Sequence, residues 1–286
     1  MKLYLFLFRI YFKILGSVSP KTASIVAFKL FQKVRVLPIK PKEAEFYANS
    51  RRFAVQDELT EILCYENGPK DGSLIFLVHG WESNAGSLNG IVSALAAIGK
   101  RVVSIDLPGH GKHTATHTNL LECKSAFQSV IKHVNPQEPF SVLSHSFGSA
   151  VTTFALSEEK RKVDQLIYLT TPNEMTVIFE DFGKLVGLNK KVLKHIIDRA
   201  SKLLGQDLDT FTVSIKGKEI EYNKLTLIHD RFDKIIPFAN SENISKNLTN
   251  TELITLEKAG HYRMLWNDEV IEKITTTLQQ NEVVDA

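Results

Sequence analysis

The chain has 286 residues, 43% hydrophobic and 23% charged, which is the composition of an ordinary globular protein with room for a sizeable core. A formal net charge of +3 is too small to indicate nucleic-acid binding, and no basic run is interleaved with aromatic residues. The two cysteines suggest neither a disulfide framework nor a metal site, so we expect reduced thiols, a cytoplasmic location and no bound metal.

Residues 1–16 are apolar apart from three basic side chains. The segment is too short for a transmembrane span of about 20 apolar residues. Arg9 and Lys13 interrupt the apolar core that a secretory signal requires, so export is not expected. On a helix, Lys2, Arg9 and Lys13 fall on one narrow stripe. Two interpretations stay open: a peripheral helix in a membrane interface, or a helix packed on its own domain or on a second copy. The sequence does not reveal the oligomeric state.

A second helix is expected from Pro20, with its body at 23–34, because proline is favoured in the first turn of a helix. The segment 40–48 is expected to run over the surface. Residues 1–50 are therefore interpreted as a helical extension. A change to strand patterns at Arg51 marks the start of the main domain, 51–286, and its first two strands form a hairpin over 52–65.

The main domain begins as a regular alternation of strands and helices. Several strands are continuous apolar runs, which is typical of strands buried on both faces of a parallel sheet. The predicted strands are 73–79, 101–106, 140–143 and 163–169, and the predicted helices are 86–98, 120–134 and 150–156. This order predicts an α/β fold with a doubly wound, mostly parallel sheet.

The alternation breaks at Pro172 and resumes with strands at 225–229 and 251–256 and a helix at 268–280. The intervening segment, about 172–222, is helical and is predicted to be a small cap insertion. Its apolar side chains would suit a lid, whereas its many lysines are explained by a solvated helix face. The apolar residues are Met175, Phe179, Phe182, Leu185 and Val186.

A serine lies between a buried strand and a helix in the segment Ser144-His-Ser-Phe-Gly-Ser149. This segment resembles the G-x-S-x-G nucleophile elbow of the α/β-hydrolase family, with Ser144 in place of the first glycine. The resemblance covers roughly residues 51–280 and implies an α/β-hydrolase fold with Ser146 as the nucleophile. The alternative is that this segment has only a structural role, as a serine-rich helix N-cap after an ordinary buried strand.

The resemblance also implies the two partners of the serine, in the order acid and then histidine. The segment His229-Asp-Arg-Phe-Asp-Lys-Ile-Ile-Pro237 resembles the acid loop H-G-x-x-D-x-x-V-P of the family and implies Asp233 as the acid. Asp230 is the competitor, because it is closer to the end of the strand. A glycine-histidine pair after the next strand matches the base of the family, which implies His261.

An oxyanion hole needs two aimed N–H groups. The first is expected from the backbone of Phe147 at the start of the helix. The second is implied at Trp81, because His79-Gly80-Trp81 resembles the H-G-x element of the family. The Trp81 indole would line the pocket or only pack. Asp106-Leu-Pro-Gly-His-Gly111 resembles another family loop, D-x-x-G-H-G, and is interpreted as a marker of the fold.

Together these residues predict a serine hydrolase that cleaves a small-molecule carboxylic ester or thioester through an acyl-enzyme, without a metal or cofactor. One alternative is a carbon–carbon bond hydrolase of the same fold. The other is a degenerate binding module, because a side chain at Ser144 would strain the elbow. If residues 1–16 lie on a membrane, lipid-like esters become the more attractive substrates.

Overall fold

The computed structural model describes residues 2–58 and 60–280, except for the side chains of 2–4 and 280, and contains an eight-stranded sheet. Its strands are β1 Arg51–Gln56, β2 Glu61–Asn67, β3 Leu74–Val78, β4 Arg101–Asp106, β5 Phe140–His145, β6 Val163–Leu169, β7 Tyr222–Asp230 and β8 Thr251–Leu256. The spatial order is β1-β2-β4-β3-β5-β6-β7-β8. β2 pairs antiparallel with β1 and β4, and the other neighbours are parallel. The predicted mostly parallel α/β sheet is confirmed.

Helices precede the sheet and alternate with its strands. Those of the described residues are α1 Lys2–Val18, α2 Pro20–Phe31, α3 Pro41–Asn49, α4 Asn89–Ala97, α5 Leu120–Val134, α6 Phe147–Leu156, α7 Met175–Val186, α8 Lys190–Leu204, α9 Val213–Lys216, α10 Ala239–Asn247 and α11 Asp268–Gln280. Between β6 and β7 lie α7, α8 and α9, in the segment where the sequence predicts a cap.

Hydrophobic cores lie on both faces of the sheet. Phe76 and Val78 of β3 face a core shared with α5 and α6, whereas Ile75 and Leu77 face a core shared with α3, α4 and α11. Successive side chains of a strand point to opposite faces, so a strand covered on both sides must be apolar throughout. The continuous apolar run that predicts β3 therefore reflects burial on both faces.

The N-terminal helices pack on the helices inserted between β6 and β7 through aromatic side chains. Phe31 lies 4.5 Å from Phe179 and 5.2 Å from Phe182, measured between ring centroids, and Phe28 stacks on Phe179 at 6.2 Å. Phe12 of α1 is fully buried in the same core. Phe179 and Phe182, which the sequence suggests for a lid, thus pack against the N-terminal helices.

Two segments differ from the sequence-based prediction. Residues 40–48 were expected to run over the surface, but α3 forms there because Pro41 starts the helix and Glu43 accepts a hydrogen bond from the Lys40 N–H at 2.9 Å. Phe46 then buries its ring fully against the sheet. The predicted helix at 86–98 begins as a 3₁₀ turn over 85–88 and continues as α4. Leu59, the predicted start of the second strand, lies outside the described residues.

Among the helices of residues 2–58 and 60–280, none combines the length and the apolarity that crossing a bilayer requires.

Candidate active site

Ser146 lies at a strained turn between β5 and α6. Its φ of 51° and ψ of −122° place a non-glycine residue in a region that L-amino acids avoid. The Ser146 N–H donates to the Leu169 carbonyl at 2.9 Å, which ties the turn to the end of β6. A Cβ atom at Gly148 would overlap the Val78 carbonyl and lie 2.5 Å from the His79 carbonyl, so this position requires glycine.

Ser144, which replaces the first glycine of the elbow motif, is accommodated without strain. It is fully buried at the end of β5, and its hydroxyl lies 2.6 Å from the Thr152 hydroxyl of α6. Ser144 is not among the described residues with positive φ. A small polar side chain therefore fits here, because its hydroxyl has a partner.

A chain of hydrogen bonds joins three residues from three different loops. The Ser146 Oγ lies 3.1 Å from the His261 Nε2, and the His261 Nδ1 lies 2.8 Å from the Asp233 Oδ2. Both residues are largely buried, with His261 7% exposed and Ser146 9% exposed. This arrangement allows the imidazole to accept the hydroxyl proton while the carboxylate fixes its tautomer.

Asp233 is held as an anion by the turn that follows β7. Burial would raise the pKa of Asp233, but the hydrogen bond with His261 and the N–H groups of Ile235 at 2.7 Å and Ile236 at 3.1 Å outweigh it. The pKa of Asp233 therefore lies below its ordinary value. The His229 ring hydrogen-bonds the Ile236 carbonyl and the Ser241 hydroxyl, and these bonds hold the same turn in place.

Asp230, the competing candidate for the acid, does not bond His261. Its carboxylate accepts the N–H of Gly260 and, at 2.8 Å, the N–H of Phe232. Asp230 thus links the loop of the acid to the loop of the histidine. Of the two aspartates, the structure places Asp233 beside the imidazole.

Thr170, which the sequence analysis did not single out, also contacts the histidine. Its Oγ1 lies 3.0 Å from the His261 Nδ1, it is fully buried, and its φ is +46°. A β-branched residue rarely adopts positive φ, so the surrounding structure must hold it there. The signal in the sequence that could have identified Thr170 is its position directly after the buried strand β6, next to the point where the alternation of strands and helices breaks.

Three buried histidines surround the site in the neutral form. His145 donates from Nε2 to the His261 carbonyl at 2.9 Å, and His79 accepts the Leu107 N–H at 3.1 Å. Burial, assisted by the neighbouring His261, lowers the pKa of His145 to about 3, and burial lowers the pKa of His79 to about 4. Burial and the adjacent His79 lower the pKa of His110 to about 3.

The loop after β3 lies against the elbow. A Cβ at Gly80 would be 3.2 Å from the Ser146 Cβ, which shows how closely the two turns approach. Among the described residues, no acceptor bonds the backbone N–H of Trp81 or Phe147. The Trp81 indole packs edge-on against the Phe147 ring at 5.2 Å and the His110 ring at 5.0 Å. The two backbone N–H groups are therefore without an acceptor in the part of the chain that the structure describes.

The residue after Trp81 anchors this loop to the N-terminal extension. Arg35 forms a forked ion pair with Glu82, with Nε donating to the two carboxylate oxygens at 2.8 and 2.9 Å. Glu82 has a φ of 52° and is mostly buried at its side chain, whereas the Arg35 side chain is 68% exposed. The segment after α2 therefore reaches the edge of the site.

Exposed apolar side chains adjoin the site in the chain. Phe232 and Ile235 flank Asp233, Tyr262 follows His261, and each of the three is more than half exposed. A separate depression of about 600 Å³ lies beside α8, and its mixed charges include Lys194 and Asp198, which pair with each other. None of its lining residues belongs to the hydrogen-bonded chain at Ser146.

The chain matches the Hydrolase_4 family model, described as serine aminopeptidase, S33, over residues 69–226, more than half of its length. It is 29% identical over 135 residues to a serine hydrolase-like protein of Danio rerio, covering 44% of this chain and 40% of that protein. The chain thus aligns with less than half the length of this curated relative.

Solved structures show the same fold. The esterase Pf2001 of Pyrococcus furiosus superposes with a TM-score of 0.65 at 16% identity, covering 86% of this chain and 97% of the esterase. The thioesterase domain from the curacin biosynthetic pathway superposes with a TM-score of 0.61 at 15% identity, covering 81% of this chain and 99% of that domain. The chain has the α/β-hydrolase fold and belongs to the serine aminopeptidase S33 family of hydrolases.

Proposed function

We propose that this protein hydrolyses small carboxylic esters or thioesters through an acyl-enzyme on Ser146. The observation that carries the proposal is the hydrogen-bonded chain Ser146–His261–Asp233, with distances of 3.1 and 2.8 Å, at a serine held in a strained turn. A serine hydroxyl is a weak nucleophile, and a base within hydrogen-bond reach is what activates it.

In the proposed reaction, the Ser146 Oγ attacks the substrate carbonyl while the His261 Nε2 takes the hydroxyl proton. The imidazolium then returns this proton to the departing alcohol or thiol, which leaves the acyl group on Ser146. Water then attacks the acyl carbonyl and gives a proton to the same nitrogen. The imidazolium returns this proton to the Ser146 Oγ as the bond to the acyl carbon breaks, which releases the acid and restores the serine. Asp233 stays ionised throughout and stabilises the imidazolium, in keeping with its lowered pKa.

The backbone N–H groups of Trp81 and Phe147 are proposed to bind the oxyanion of each tetrahedral intermediate. Both lie next to Ser146 in space or in sequence, and neither has an acceptor among the described residues. The N–H of Phe147 is also an unpaired donor at the start of α6, where the helix dipole favours negative charge. Losing one such donor costs roughly 10² to 10³ in kcat.

The substrate class is inferred from the side chains that adjoin the site. Phe232, Ile235 and Tyr262 are exposed, and Trp81 and Phe147 pack beside Ser146, so the surroundings are apolar. Such a surface favours an apolar acyl or alkyl group over a charged one. The related fold of an esterase and of a thioesterase domain is compatible with both ester classes.

An aminopeptidase activity, which the family name raises, is less well supported. Recognition of a free α-amino group calls for a carboxylate with room for an ammonium partner. The carboxylates of Asp233 and Glu82 adjoin the site, but they bond His261 and Arg35 respectively. Hydrolysis of an aminoacyl anilide faster than of a matched ester would overturn the ester assignment.

Labelling with a fluorophosphonate probe tests the nucleophile directly. We expect an adduct on Ser146 in the wild type, no adduct in Ser146→Ala, and labelling slowed by at least 10³-fold in Asp233→Asn and His261→Ala. Circular dichroism of each variant shows whether it is folded. A folded wild type that reacts with neither the probe nor a panel of esters from acetyl to dodecanoyl would indicate a binding module.

A further inference from the structure

Helix α1 has two apolar faces, of which one packs on the protein. Phe12 is fully buried, and Phe8 and Leu15 are partly buried beside it. The opposite face is exposed, and we call it the α1 outer face: Phe6, Leu7, Ile10, Tyr11, Ile14 and Val18. At 100° per residue these six positions span about 140° of the helix. Ile14 is 62% exposed and Val18 is 79% exposed, so the outer face has no covering element among the described residues.

Exposed apolar residues are concentrated in this part of the chain. Among the described side chains, 17 large hydrophobic ones are exposed, and ten of these lie between Phe6 and Leu37. Scattered exposed apolar side chains are normal on a soluble protein, but a continuous helical face of them indicates a surface that binds something.

The same segment is entirely basic in its charge. Residues 1–42 contain nine Lys and Arg residues and no Asp or Glu, although the whole chain has 35 basic and 32 acidic residues. On α1, Arg9 and Lys13 fall between the packed face and the outer face, so the basic side chains border the apolar surface. This combination is typical of a helix that lies in the interface of an anionic bilayer.

We propose that the α1 outer face docks this protein on an anionic lipid bilayer. The six apolar side chains would enter the boundary between headgroups and acyl chains, while Arg9 and Lys13 contact the phosphates. A second copy of the chain fits this face less well, because a symmetric dimer would bring two basic segments together. The helix lies on the membrane in this proposal and does not cross it.

The docking surface is connected to the candidate active site through the chain. After α2, the N–H of Val34 bonds the Thr116 carbonyl at 2.9 Å, and Arg35 then pairs with Glu82 beside Trp81. Val36 and Leu37 follow and are both exposed. Docking would thus hold the site near the membrane, where substrates with long acyl chains are concentrated. The docking proposal itself does not depend on the proposed hydrolysis, because it concerns binding alone.

Flotation with liposomes tests the proposal with the full chain and without an activity assay. We expect the wild type to float with vesicles of phosphatidylcholine and phosphatidylglycerol, and to bind pure phosphatidylcholine at least tenfold more weakly. The variant F6S/I10S/I14S should lose at least tenfold in binding to anionic vesicles. A matched variant, L203S/I215S, replaces two exposed apolar side chains elsewhere and should bind as the wild type does.

The effect of charge is tested separately with Lys13→Glu, which should weaken binding to anionic vesicles severalfold and reduce its salt dependence. Circular dichroism and thermal unfolding report whether the variants retain their fold. The proposal is overturned if the wild type ignores anionic vesicles or if F6S/I10S/I14S binds as well as the wild type. A dimer seen by light scattering would also overturn the proposal if F6S/I10S/I14S disrupts this dimer and anionic vesicles leave it intact.

Discussion

The Thr170 hydroxyl lies 3.0 Å from the same His261 nitrogen that bonds Asp233 at 2.8 Å. The His261 Nδ1 carries one hydrogen, so the threonine and the carboxylate share a single donor as acceptors. A second acceptor at this nitrogen fixes the ring plane and adds stabilisation when the imidazole becomes charged. Thr170 is therefore a positioning residue for His261 in the proposed reaction.

Replacing Thr170 by valine removes this acceptor with little change of shape, and we expect kcat/KM for a short-chain ester to fall roughly tenfold. The expected loss corresponds to one hydrogen bond to a group that becomes charged, about 1.5 kcal/mol. Thr170→Ser keeps the hydroxyl and should retain most of the activity. Steady-state kinetics from pH 5 to 9, with melting temperatures, separate this effect from misfolding. Equal rates for the valine and serine variants would contradict the assignment.

The two aspartates after β7 are expected to differ sharply when replaced by asparagine. Asp233→Asn should lower kcat about 10³-fold or more while the protein stays folded, because an amide no longer selects the required imidazole tautomer. Asp230→Asn loses one of two accepted N–H bonds, so we expect mainly a stability loss of about 1 to 2 kcal/mol. Urea denaturation measures the stability loss of both variants, and ester kinetics measure their loss of activity. A larger kinetic loss in Asp230→Asn would reverse the assignment of the acid.

Much of the fold follows from local pattern. Strands β4, β6 and β8 have the predicted bounds 101–106, 163–169 and 251–256, since short segments rich in aliphatic and β-branched residues between helical segments leave few alternatives. Ser146, Asp233 and His261 were named from the resemblance to family motifs, and each follows a strand of the parallel sheet. The carboxyl ends of such strands meet at one edge, which is where Ser146 and Asp233 are brought together.

Contacts between distant loops were not predictable in the same way. Thr170 and Arg35 belong to no motif, and their partners, His261 and Glu82, are far away in the chain. The α10 helix was missed because Ser241 and Ile244 alone are buried within it, which leaves almost no apolar periodicity. Such features depend on the assembled tertiary structure and not on local propensity.

The ion pair between Arg35 and Glu82 is expected to support the loop that carries Trp81. Arg35→Lys keeps the charge but loses the forked geometry, so we expect kcat to fall about threefold to fivefold with little change in KM. Because Arg35 is exposed, 0.5 M salt should reduce the difference from wild type. Arg52→Lys, at an exposed position of β1, serves as the matched control. Identical kcat values for wild type and Arg35→Lys would show that the pair does not influence the loop.

The elbow should tolerate change at Ser144 far better than at Gly148. A Cβ at Gly148 meets the backbone carbonyls of Val78 and His79, which cannot move without distorting the sheet, so Gly148→Ala should cost about 3 kcal/mol or more. Ser144→Ala leaves the Thr152 hydroxyl without its partner and should cost about 1 to 2 kcal/mol. Chemical denaturation measures both losses, with the exposed Ser93→Ala as a control. A mild effect of Gly148→Ala would contradict the close approach of the elbow to the Val78 and His79 carbonyls.

Stability should fall on acidification well before the carboxylates titrate. Burial lowers the pKa of His79 to about 4 and, with help from neighbouring histidines, the pKa values of His110 and His145 to about 3. In the unfolded chain each of these pKa values is about 6.5, so below this pH the unfolded state binds more protons than the folded state. The free energy of unfolding is therefore fully retained above pH 6.5 and decreases as the pH falls toward 4.

Each of the three histidines should contribute a slope of about 1 kcal/mol per pH unit between pH 6 and pH 4.5. Urea denaturation at half-unit intervals of pH measures the total slope. His110→Asn removes one titrating group while its amide can still donate to the Pro108 carbonyl, so the slope should fall by about 1 kcal/mol per pH unit. His117→Asn, at an exposed position, should leave the slope unchanged. If His110→Asn has the full slope of the wild type, protonation of buried histidines does not cause the loss of stability in acid.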